Sequence, residues 1–348
     1  MQHRQVTRKY LVTSDIHLNE KPQDDYRYKL FPWLARQCRQ RHITDLCILG
    51  DLTDAKDRHA ATLVQKIVDA LYVVLDHTDV RIHILRGNHD YLAHPTSPFF
   101  GFLDKIDRLH FYTHPTRIHD DSVLMLPNTT TPEKDWRDIR FGGYAYVFLH
   151  QTVRGAVTSS GFRLDTGTDP DFAPRLKPGV LYSGDIHVPQ VCGNVTYVGS
   201  PYPVHFNDDF KPRVLVLRRG ETARDLHFPT IARHTLEVRS LEDLHERIGQ
   251  WTEAGDHVKL RILVPHKQLT ERNVIKTAML EAAAKAQLVV HAVEVHVIKT
   301  DADTVRVRLP QEQEQNTRAL VTDYSTLEDL DEDTAAIGLQ LVDGETVQ

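Results

Sequence analysis

Four short polar clusters, each placed directly after an apolar run, constrain the fold of this 348-residue chain more than any other feature. A glycine at the end of a buried strand lets the backbone turn sharply and deliver polar side chains to the carboxyl end of that strand. One such cluster alone is usually a loop or a helix cap. Several in the same position predict a site at one edge of a sheet. The clusters are Asp15-Ile16-His17, Gly50-Asp51-Leu52-Thr53-Asp54, Gly87-Asn88-His89-Asp90 and Gly184-Asp185-Ile186-His187.

The N-terminal part of the chain alternates between strand and helix patterns. Apolar runs at 9–14, 45–49 and 80–85 predict buried strands, and the apolar spacing at 30–40 and 60–76 predicts helices between them. This order indicates an α/β fold, in which loops at the carboxyl ends of the strands gather the site residues.

Further strand patterns follow in the middle of the chain. Short strands are predicted near Phe111 and at 122–126, an aromatic-rich strand at 143–149 ends at His150, and another strand at 180–183 precedes the last polar cluster.

Two later runs predict a second sheet. The stretch 152–178 is rich in Gly, Thr, Asp and Pro and predicts a long loop near the site. The runs at 195–198 and 214–217 predict antiparallel strands joined by a tight turn, so this half of the body should have a sheet of its own.

The pattern changes again near His234. Strands at 235–238, 258–264 and 288–298, helices at 240–253 and 270–286, and an edge strand at 305–309 would make a small α+β module. The last 38 residues contain a capping-box pattern, Ser325-Thr326-Leu327-Glu328, which predicts one or two short helices. The predicted parts are a catalytic body at 1–232, an α+β domain at 233–310 and an acidic, helical tail at 311–348.

Charge is unevenly distributed along the chain. Residues 311–348 contain ten Asp and Glu against one Arg, a net charge of −9, so the total of −6 leaves +3 for residues 1–310. The body therefore suits a phosphate-bearing substrate and the tail suits a protein partner, although such a tail can also serve only to solubilise the chain.

Composition also bears on location. No stretch is apolar and long enough for a signal peptide or a membrane span, so we expect a cytoplasmic protein with no membrane association. The cysteines, Cys38, Cys47 and Cys192, have no metal-ligand spacing and predict reduced thiols in the core.

The polar clusters and His150 offer carboxylates, imidazoles and one amide oxygen, with no sulfur. This donor set favours a pair of divalent ions such as Mn²⁺, Fe or Zn²⁺ over a structural cysteine zinc site. Asp51 is the candidate bridge, because a carboxylate has two oxygens and Asp51 lies between the other clusters in sequence. Such a pair of ions serves phosphate-ester hydrolysis. The candidate metal ligands are Asp15, His17, Asp51, Asn88, His150, Asp185 and His187.

Single residues in this set have alternative roles. His89 directly follows a candidate ligand, so we expect it to face the phosphate as a catalytic residue that protonates the leaving group or stabilises transition-state charge. Taken alone, His150 or His187 could be an ordinary buried histidine, and Asp15 or Asp51 could be a helix cap.

The order of these motifs resembles a known signature. Asp-x-His, Gly-Asp, Gly-Asn-His-Asp, a His after a strand and Gly-x-x-His are similar to the calcineurin-like metallophosphoesterases over residues 10–190. Within that superfamily, His150-Gln151, the run 184–190 and Tyr197-Val198-Gly199-Ser200-Pro201 look like the SbcD type of DNA-repair nuclease. The resemblance implies a four-layer sandwich of two mixed sheets flanked by helices, followed by a small α+β capping domain and a helical C-terminal tail.

The resemblance also implies how the ligands divide. The family generally has a histidine where this chain has Asp185, and a carboxylate is a harder, negatively charged donor. We therefore expect a second site with altered metal preference, and a weakened second site is the alternative. Mn²⁺ is the expected metal, with Mg²⁺, Fe or Zn²⁺ as alternatives. The first ion would be held by Asp15, His17, Asp51 and His187, and the second by Asp51, Asn88, His150 and Asp185.

By the same resemblance we expect a metal-dependent DNA phosphodiesterase, with exonuclease and single-strand endonuclease activity in repair or recombination. The expected partners are DNA, an SbcC-type SMC-like ATPase bound through residues 311–348, and a second copy of the chain, in a nucleoid-associated complex. Two other functions remain open. One is a stand-alone phosphoesterase for small nucleotides or phosphoproteins, which would not need residues 234–348. The other is a scaffold that binds DNA ends after losing its second metal site through Asp185.

Overall fold

The described part of the chain covers most of the predicted body. The predicted edge strand at 305–309 and the predicted tail helices lie outside the described residues. Internal contacts divide the chain into two units; the first, residues 1–263 with 272–296, contains every candidate site residue. Among the described residues of the second unit is a short 3-10 helix, His266–Glu271. The computed structural model describes residues 8–56, 58–91, 99–119, 122–170, 172, 180–206 and 208–298.

The strands and helices follow the predicted alternation. In chain order, the described strands are β1 (Lys9–Thr13), β2 (Asp45–Ile48), β3 (Arg81–Leu85), β4 (Leu109–Tyr112), β5 (Thr116–Ile118), β6 (Val123–Leu126), β7 (Tyr146–His150), β8 (Leu181–Gly184), β9 (Gln190–Cys192), β10 (Val195–Tyr197), β11 (Val214–Arg218), β12 (Arg224–Leu226), β13 (Arg233–Val238), β14 (His257–Pro265) and β15 (Val289–Ile298). The described α-helices are α1 (Leu30–Arg41), α2 (Ala61–His77), α3 (Pro132–Asp135), α4 (Leu241–Trp251) and α5 (Arg272–Lys285). None of these helices has the length and apolar character that crossing a bilayer requires.

The first sheet is mixed, with the strand order β12-β11-β1-β2-β3-β4. Strands β1 to β4 are parallel, with Leu11 opposite Leu46 and Leu46 opposite Ile82, whereas β11 runs antiparallel to β1. Helices α1 and α2 cover one face, where Leu34 and Ile67 are fully buried. Because β1, β2 and β3 are parallel, their carboxyl ends meet at one edge.

Local sequence explains both helices of this layer. In α2, Leu63 and Ile67 are buried and lie one helical turn apart, and burial of each such side chain contributes about 1.5–3 kcal/mol. Helix α1 ends at His42, which adopts a left-handed conformation with φ 53°. The Ile43 N–H then bonds the Cys38 carbonyl oxygen at 2.9 Å, which satisfies a carbonyl at the helix end.

The second sheet is also mixed, with the order β5-β6-β7-β8-β10-β9. Its four inner strands are parallel, and both edge strands are antiparallel to their neighbours. Side chains from both sheets interleave between them, with Val12 and Leu49 from the first packed with Phe148 and Tyr182 from the second. Trp136, which directly follows α3, and irregular segments around it cover the outer face. The predicted α/β fold, with two mixed sheets flanked by helices, is therefore confirmed.

A third sheet follows the body, with the order β13-β14-β15 and with β13 parallel to β14. Helix α4 contacts both α5 and β13. Its N-cap is Ser240, whose hydroxyl oxygen accepts the Asp243 N–H at 3.1 Å, as the capping pattern predicts.

Two predictions about this half of the chain are wrong. The runs at 195–198 and 214–217 do not form a hairpin, because β10 lies parallel to β8 in the second sheet and β11 joins the first sheet beside β1. Gly199 does not serve a hairpin turn: it lets the crossing segment pack closely, since a Cβ there would lie 2.7 Å from the His187 carbonyl oxygen.

The other wrong prediction concerns a thiol. Cys38 and Cys47 are buried free thiols, as predicted, but Cys192 is only partly buried. It lies at the end of β9, an edge strand in which Val191 is exposed, so the core does not enclose it.

Candidate metal centre

The structure brings the polar clusters and His150 to one edge of the two sheets. Strand β1 leads into the first cluster, β2 into the second and β3 into the third. Strand β7 ends at His150, and β8 ends at Gly184, directly before the last cluster. As a result His17 Nε2 and His187 Nε2, from residues 170 positions apart, lie 3.2 Å from each other.

An unusual backbone conformation turns these side chains into the site. Asp15, His17 and Asp51 have φ values of 52°, 47° and 53°, in the left-handed region that residues with a Cβ seldom adopt. The Asp15 N–H bonds the Gly50 carbonyl oxygen at 3.1 Å, and the His17 N–H bonds the Asp51 carbonyl oxygen at 3.0 Å. Such strain persists where the surrounding structure holds it, and it is typical of functional sites.

Asp90 ties the second and third clusters together. Its carboxylate is fully buried and accepts three backbone N–H groups, from Gly87 at 2.7 Å, Asp51 at 2.9 Å and Leu52 at 3.0 Å. Hydrogen bonds to a charged group contribute about 1.5–3 kcal/mol each. Asp90 belongs to the third polar cluster but not to the candidate ligands, and in the structure it fixes the backbone of the site.

Gly87 is required because the third cluster packs closely against the second. A Cβ at this position would collide with the Asp51 carboxylate. The third cluster therefore reaches the second only because position 87 has no side chain.

The first group of candidate ligands surrounds His17. The Nε2 atom of His17 lies 3.2 Å from His187 Nε2 and 3.5 Å from Asp51 Oδ2. Ligand atoms of Asp15, His17 and His187 also all lie within 4.8 Å of one another. These atoms are close enough to share one ion.

The second group surrounds His150. Its Nε2 atom lies 3.4 Å from Asp51 Oδ1 and 3.7 Å from Asp185 Oδ1, and the side chain is fully buried. The Asn88 amide oxygen lies 2.8 Å from the same nitrogen. Asp51 thus takes part in both groups, with one oxygen facing His17 and the other facing His150.

The side-chain amide of Asn88 lies against Asp51 and can present either its oxygen or its N–H₂ group to that carboxylate. The Asn88 amide oxygen faces both Asp51 carboxylate oxygens at 3.1 Å. Oxygens that only accept hydrogen bonds repel at this distance. Rotation of the amide, so that its N–H₂ donates, would relieve the repulsion, and so would an ion between the oxygens.

Charge in the site also fits bound cations. Burial raises the pKa of Asp51 well above its usual range, with Asp15 and Asp90 adding to the rise, and burial raises the pKa of Asp185. Burial would lower the pKa of His150, but Asp51 and the other carboxylates raise it to about 9. Among the described residues, the ion-pair partners of Asp51 and Asp185 are histidines, with no Lys or Arg. Buried carboxylates without such partners are costly unless metal ions compensate them.

His89 is held beside this centre by its backbone and by one ring nitrogen. Its N–H bonds Asp51 Oδ1 at 2.9 Å, and its Nδ1 lies 2.7 Å from the Asp54 carbonyl oxygen. Because a carbonyl only accepts, Nδ1 carries the proton and Nε2 remains available to a substrate. The ring also lies close enough to His17 and Asp51 to serve as a ligand, so distance alone does not separate the two roles.

Asp185 occupies the position at which the resemblance leads one to expect histidine. Its Oδ2 accepts the Thr152 hydroxyl at 2.5 Å, and its N–H bonds Asp15 Oδ1 at 3.0 Å. One oxygen is therefore oriented by Thr152 while the other faces His150. Thr152 was not among the residues that the sequence indicated, because it lies in an irregular segment.

Asp208 is a second residue that the sequence did not indicate. Its Oδ2 accepts the N–H groups of Val204 and His205, both at 2.9 Å, and lies 3.7 Å from His187 Nδ1. Burial opposes ionisation, but hydrogen bonding with His187, Ser159 and the His205 N–H lowers the pKa of Asp208 to about 2. A carboxylate behind a ligating histidine orients the ring toward a metal.

Comparison with known proteins agrees with this geometry. The chain belongs to the calcineurin-like phosphoesterase family, whose pattern matches residues 8–189. It is therefore a metal-binding hydrolase of phosphoester bonds. The chain is similar to the protein named exonuclease subunit 1 of Enterobacteria phage T4, with 24% identity over 234 residues, which cover 64% of this chain and 67% of the phage protein.

Proposed function

We propose that this protein is a metal-dependent DNA phosphodiesterase that processes DNA ends in repair or recombination. The observation that carries the proposal is the position of Asp51, whose two oxygens face imidazoles of two different ligand groups. Phosphoester hydrolysis follows from the family. Action on DNA, as an exonuclease and a single-strand endonuclease, is supported by the similarity to the phage exonuclease subunit and by the SbcD-type motifs.

In this proposal the two groups hold separate divalent ions and share Asp51. Bound there, two ions would lower the pKa of water and neutralise charge on the attacking and leaving oxygens. Oxygen and nitrogen donors without sulfur suit Mn²⁺. The first group is Asp15, His17, Asp51 and His187, and the second is Asp51, Asn88, His150 and Asp185.

The other residues of the site hold the ligands and the His89 ring in position. Asp90 fixes the turn that carries Asn88 and His89, and Asp54 fixes the His89 ring through its carbonyl oxygen. With Nδ1 already donating, His89 Nε2 is the atom that would face the phosphate or the leaving oxygen, and in the imidazolium form of the ring it would donate a proton there. His89 is therefore proposed to act on substrate and not as a ligand.

We expect the full chain to degrade linear DNA after chelation and reloading with Mn²⁺. The measurement follows release of nucleotides from duplex and single-stranded DNA in Mn²⁺, Mg²⁺ and Zn²⁺, beside a small chromogenic phosphodiester. Asn88→Ala should lower DNA cleavage by at least about 10²-fold, since it removes a metal donor and a charge-stabilising dipole. Gln65→Ala on the exposed face of α2 is the control and should leave the rate unchanged.

Each alternative function gives a different result in that assay. Hydrolysis of the small phosphodiester without cleavage of DNA would favour the stand-alone phosphoesterase. Binding of DNA ends without any Mn²⁺-dependent cleavage would favour the scaffold and contradict the nuclease.

A partner ATPase is the remaining part of the proposal. Its support is the acidic composition of residues 311–348 and the name of the phage relative, which describes a subunit. Deletion of residues 311–348 should leave cleavage of short DNA unchanged and abolish co-purification with an SMC-like ATPase. The mass of the intact complex should show two copies of this chain. Full binding of the ATPase by the truncated chain would contradict the assignment of the tail.

A further inference from the structure

A second cluster of metal-ligating side chains lies between the two sheets, away from the candidate metal centre. Asp45 is the first residue of β2, whereas Asp51 follows the other end of that strand. His83 lies in the neighbouring strand β3, and His119 directly follows β5 of the second sheet. We call Asp45, His83 and His119 the inter-sheet triad.

The triad is compact and almost closed to solvent. His83 Nε2 lies 3.0 Å and His119 Nε2 lies 3.2 Å from the same oxygen, Asp45 Oδ1. The exposed fractions of the Asp45, His83 and His119 side chains are 0%, 2% and 6%. One ligand atom from each residue lies within 4.8 Å of the other two.

One atom of the triad lacks a hydrogen-bond partner. His119 Nε2 is buried and makes no well-aligned hydrogen bond, even though Asp45 Oδ1 lies only 3.2 Å away and the contact lowers the pKa of Asp45. Its direction therefore does not match that oxygen. A ligating nitrogen has this geometry, because its lone pair points at the ion rather than at the neighbouring ligand.

The His83 ring is fixed from its other side. The Tyr112 hydroxyl lies 2.8 Å from His83 Nδ1, and His83 Nε2 hydrogen-bonds Asp45 Oδ1 at 3.0 Å, a contact that an ion between the two atoms would replace. Such a partner on the second nitrogen is the usual support of a metal-ligating histidine, since it sets the tautomer and the ring orientation.

We propose that the inter-sheet triad binds a structural divalent cation, with zinc as the best-fitting ion. Ligands about 2.0–2.1 Å from a tetrahedral zinc lie roughly 3.3 Å from one another, close to the 3.0 and 3.2 Å measured here. Two imidazoles and one carboxylate suit zinc, with water in the fourth position. The ion would pin β2 and β3 of one sheet to the segment after β5 of the other.

An ion-pair network without metal is the competing explanation. Arg8 Nη1 approaches Asp45 Oδ2 at 3.4 Å, Arg81 Nε approaches Oδ1 at 3.6 Å, and the Thr44 hydroxyl donates to Oδ2 at 2.7 Å. The arginine side chains are 27% and 44% exposed, so solvent weakens their pairing. Neither arginine supplies a partner for His119 Nε2, which the ion would.

Zinc content tests the proposal directly. The full chain and its His119→Ala variant are loaded with zinc, dialysed and measured by mass spectrometry of the metal. We expect the variant to hold about one zinc ion fewer per chain. His110→Ala is the matched control, because His110 stacks beside His83 at 5.6 Å outside the triad and is exposed. The control should hold as much zinc as the unaltered chain.

A conservative variant guards against misfolding of His119→Ala. Tyr112→Phe keeps the ring and removes only the hydroxyl beside His83, so it should weaken zinc affinity at the triad by about 10-fold or more. Equal zinc content in the unaltered chain and a folded His119→Ala variant would overturn the proposal. If His119→Ala does not fold, unchanged affinity in Tyr112→Phe would overturn it. Equal loss in His110→Ala would also overturn it, because the effect would not be specific to the triad.

The zinc site and the nuclease activity are separate proposals, and an experiment can contradict one without the other. Under the proposal, His119→Ala retains Mn²⁺-dependent cleavage of DNA at 25 °C while its thermal midpoint in excess zinc falls below that of the unaltered chain. If the protein proves to have no nuclease activity, the expected loss of one zinc ion in His119→Ala is still measured in the same way.

Discussion

Replacing Asp51 by asparagine is expected to lower the rate of phosphodiester hydrolysis by about 10³-fold or more. The two oxygens of Asp51 lie 3.5 Å from His17 Nε2 and 3.4 Å from His150 Nε2, so the change affects both ligand groups at once. An amide keeps the size of the side chain but offers one oxygen and no charge. The measurement is the rate of DNA cleavage in Mn²⁺ together with the metal content of the folded variant.

The control for this variant is Asp76→Asn, the same chemical change on an exposed residue of α2. It should leave both rate and metal content unchanged. An Asp51→Asn protein that kept a full complement of metal and near-normal activity would show that Asp51 does not join the two groups.

Replacing His89 by alanine is expected to lower kcat by about 10²–10⁴-fold while metal content stays the same. The His89 ring is oriented by the Asp54 carbonyl oxygen, and its Nε2 is the atom left for the substrate. Because the ring lies near His17 and Asp51, loss of metal is the result that the ligand role would give. Single-turnover cleavage and metal analysis on the same preparation distinguish these roles.

His77→Ala is the matched control, since His77 lies exposed at the end of α2. Loss of one metal ion in the His89→Ala variant would show that His89 is a metal ligand. Full activity in the His89→Ala variant would show that His89 has no part in the reaction.

The positions of the candidate ligands could be anticipated because they are local. Each polar cluster follows its strand directly, so the end of β1, β2, β3 or β8 fixes where its side chains lie. Parallel pairing then brings those ends together, which is a general property of α/β sheets. The α/β class and the strong helical stripe of α2 were predictable for the same reason.

Contacts between distant segments could not be anticipated in this way. The pairing of β11 with β1 depends on a crossing from one sheet to the other, and no local pattern encodes it. Strands β5, β9 and β12 were not predicted, because each has three residues of which none is buried, so they leave no apolar run in the sequence.

The supporting residues of the site were missed for a related reason. Thr152 and Asp208 act on Asp185 and His187 from irregular segments, and their role appears only in the folded chain. The inter-sheet triad likewise joins two strands and the segment after a third, and its aspartate and two histidines have no characteristic spacing.

The candidate metal centre takes its donors from both sheets of the sandwich, with His17 from the first and His150 from the second. A ligand that binds only the folded chain stabilises it by RT ln(1 + [L]/Kd), so ions bound across this seam would hold the halves of the molecule together. Supply of metal in the cell would then govern the abundance of the protein as well as its turnover. Under metal starvation the protein would then lose its activity and would also be unfolded and degraded more often.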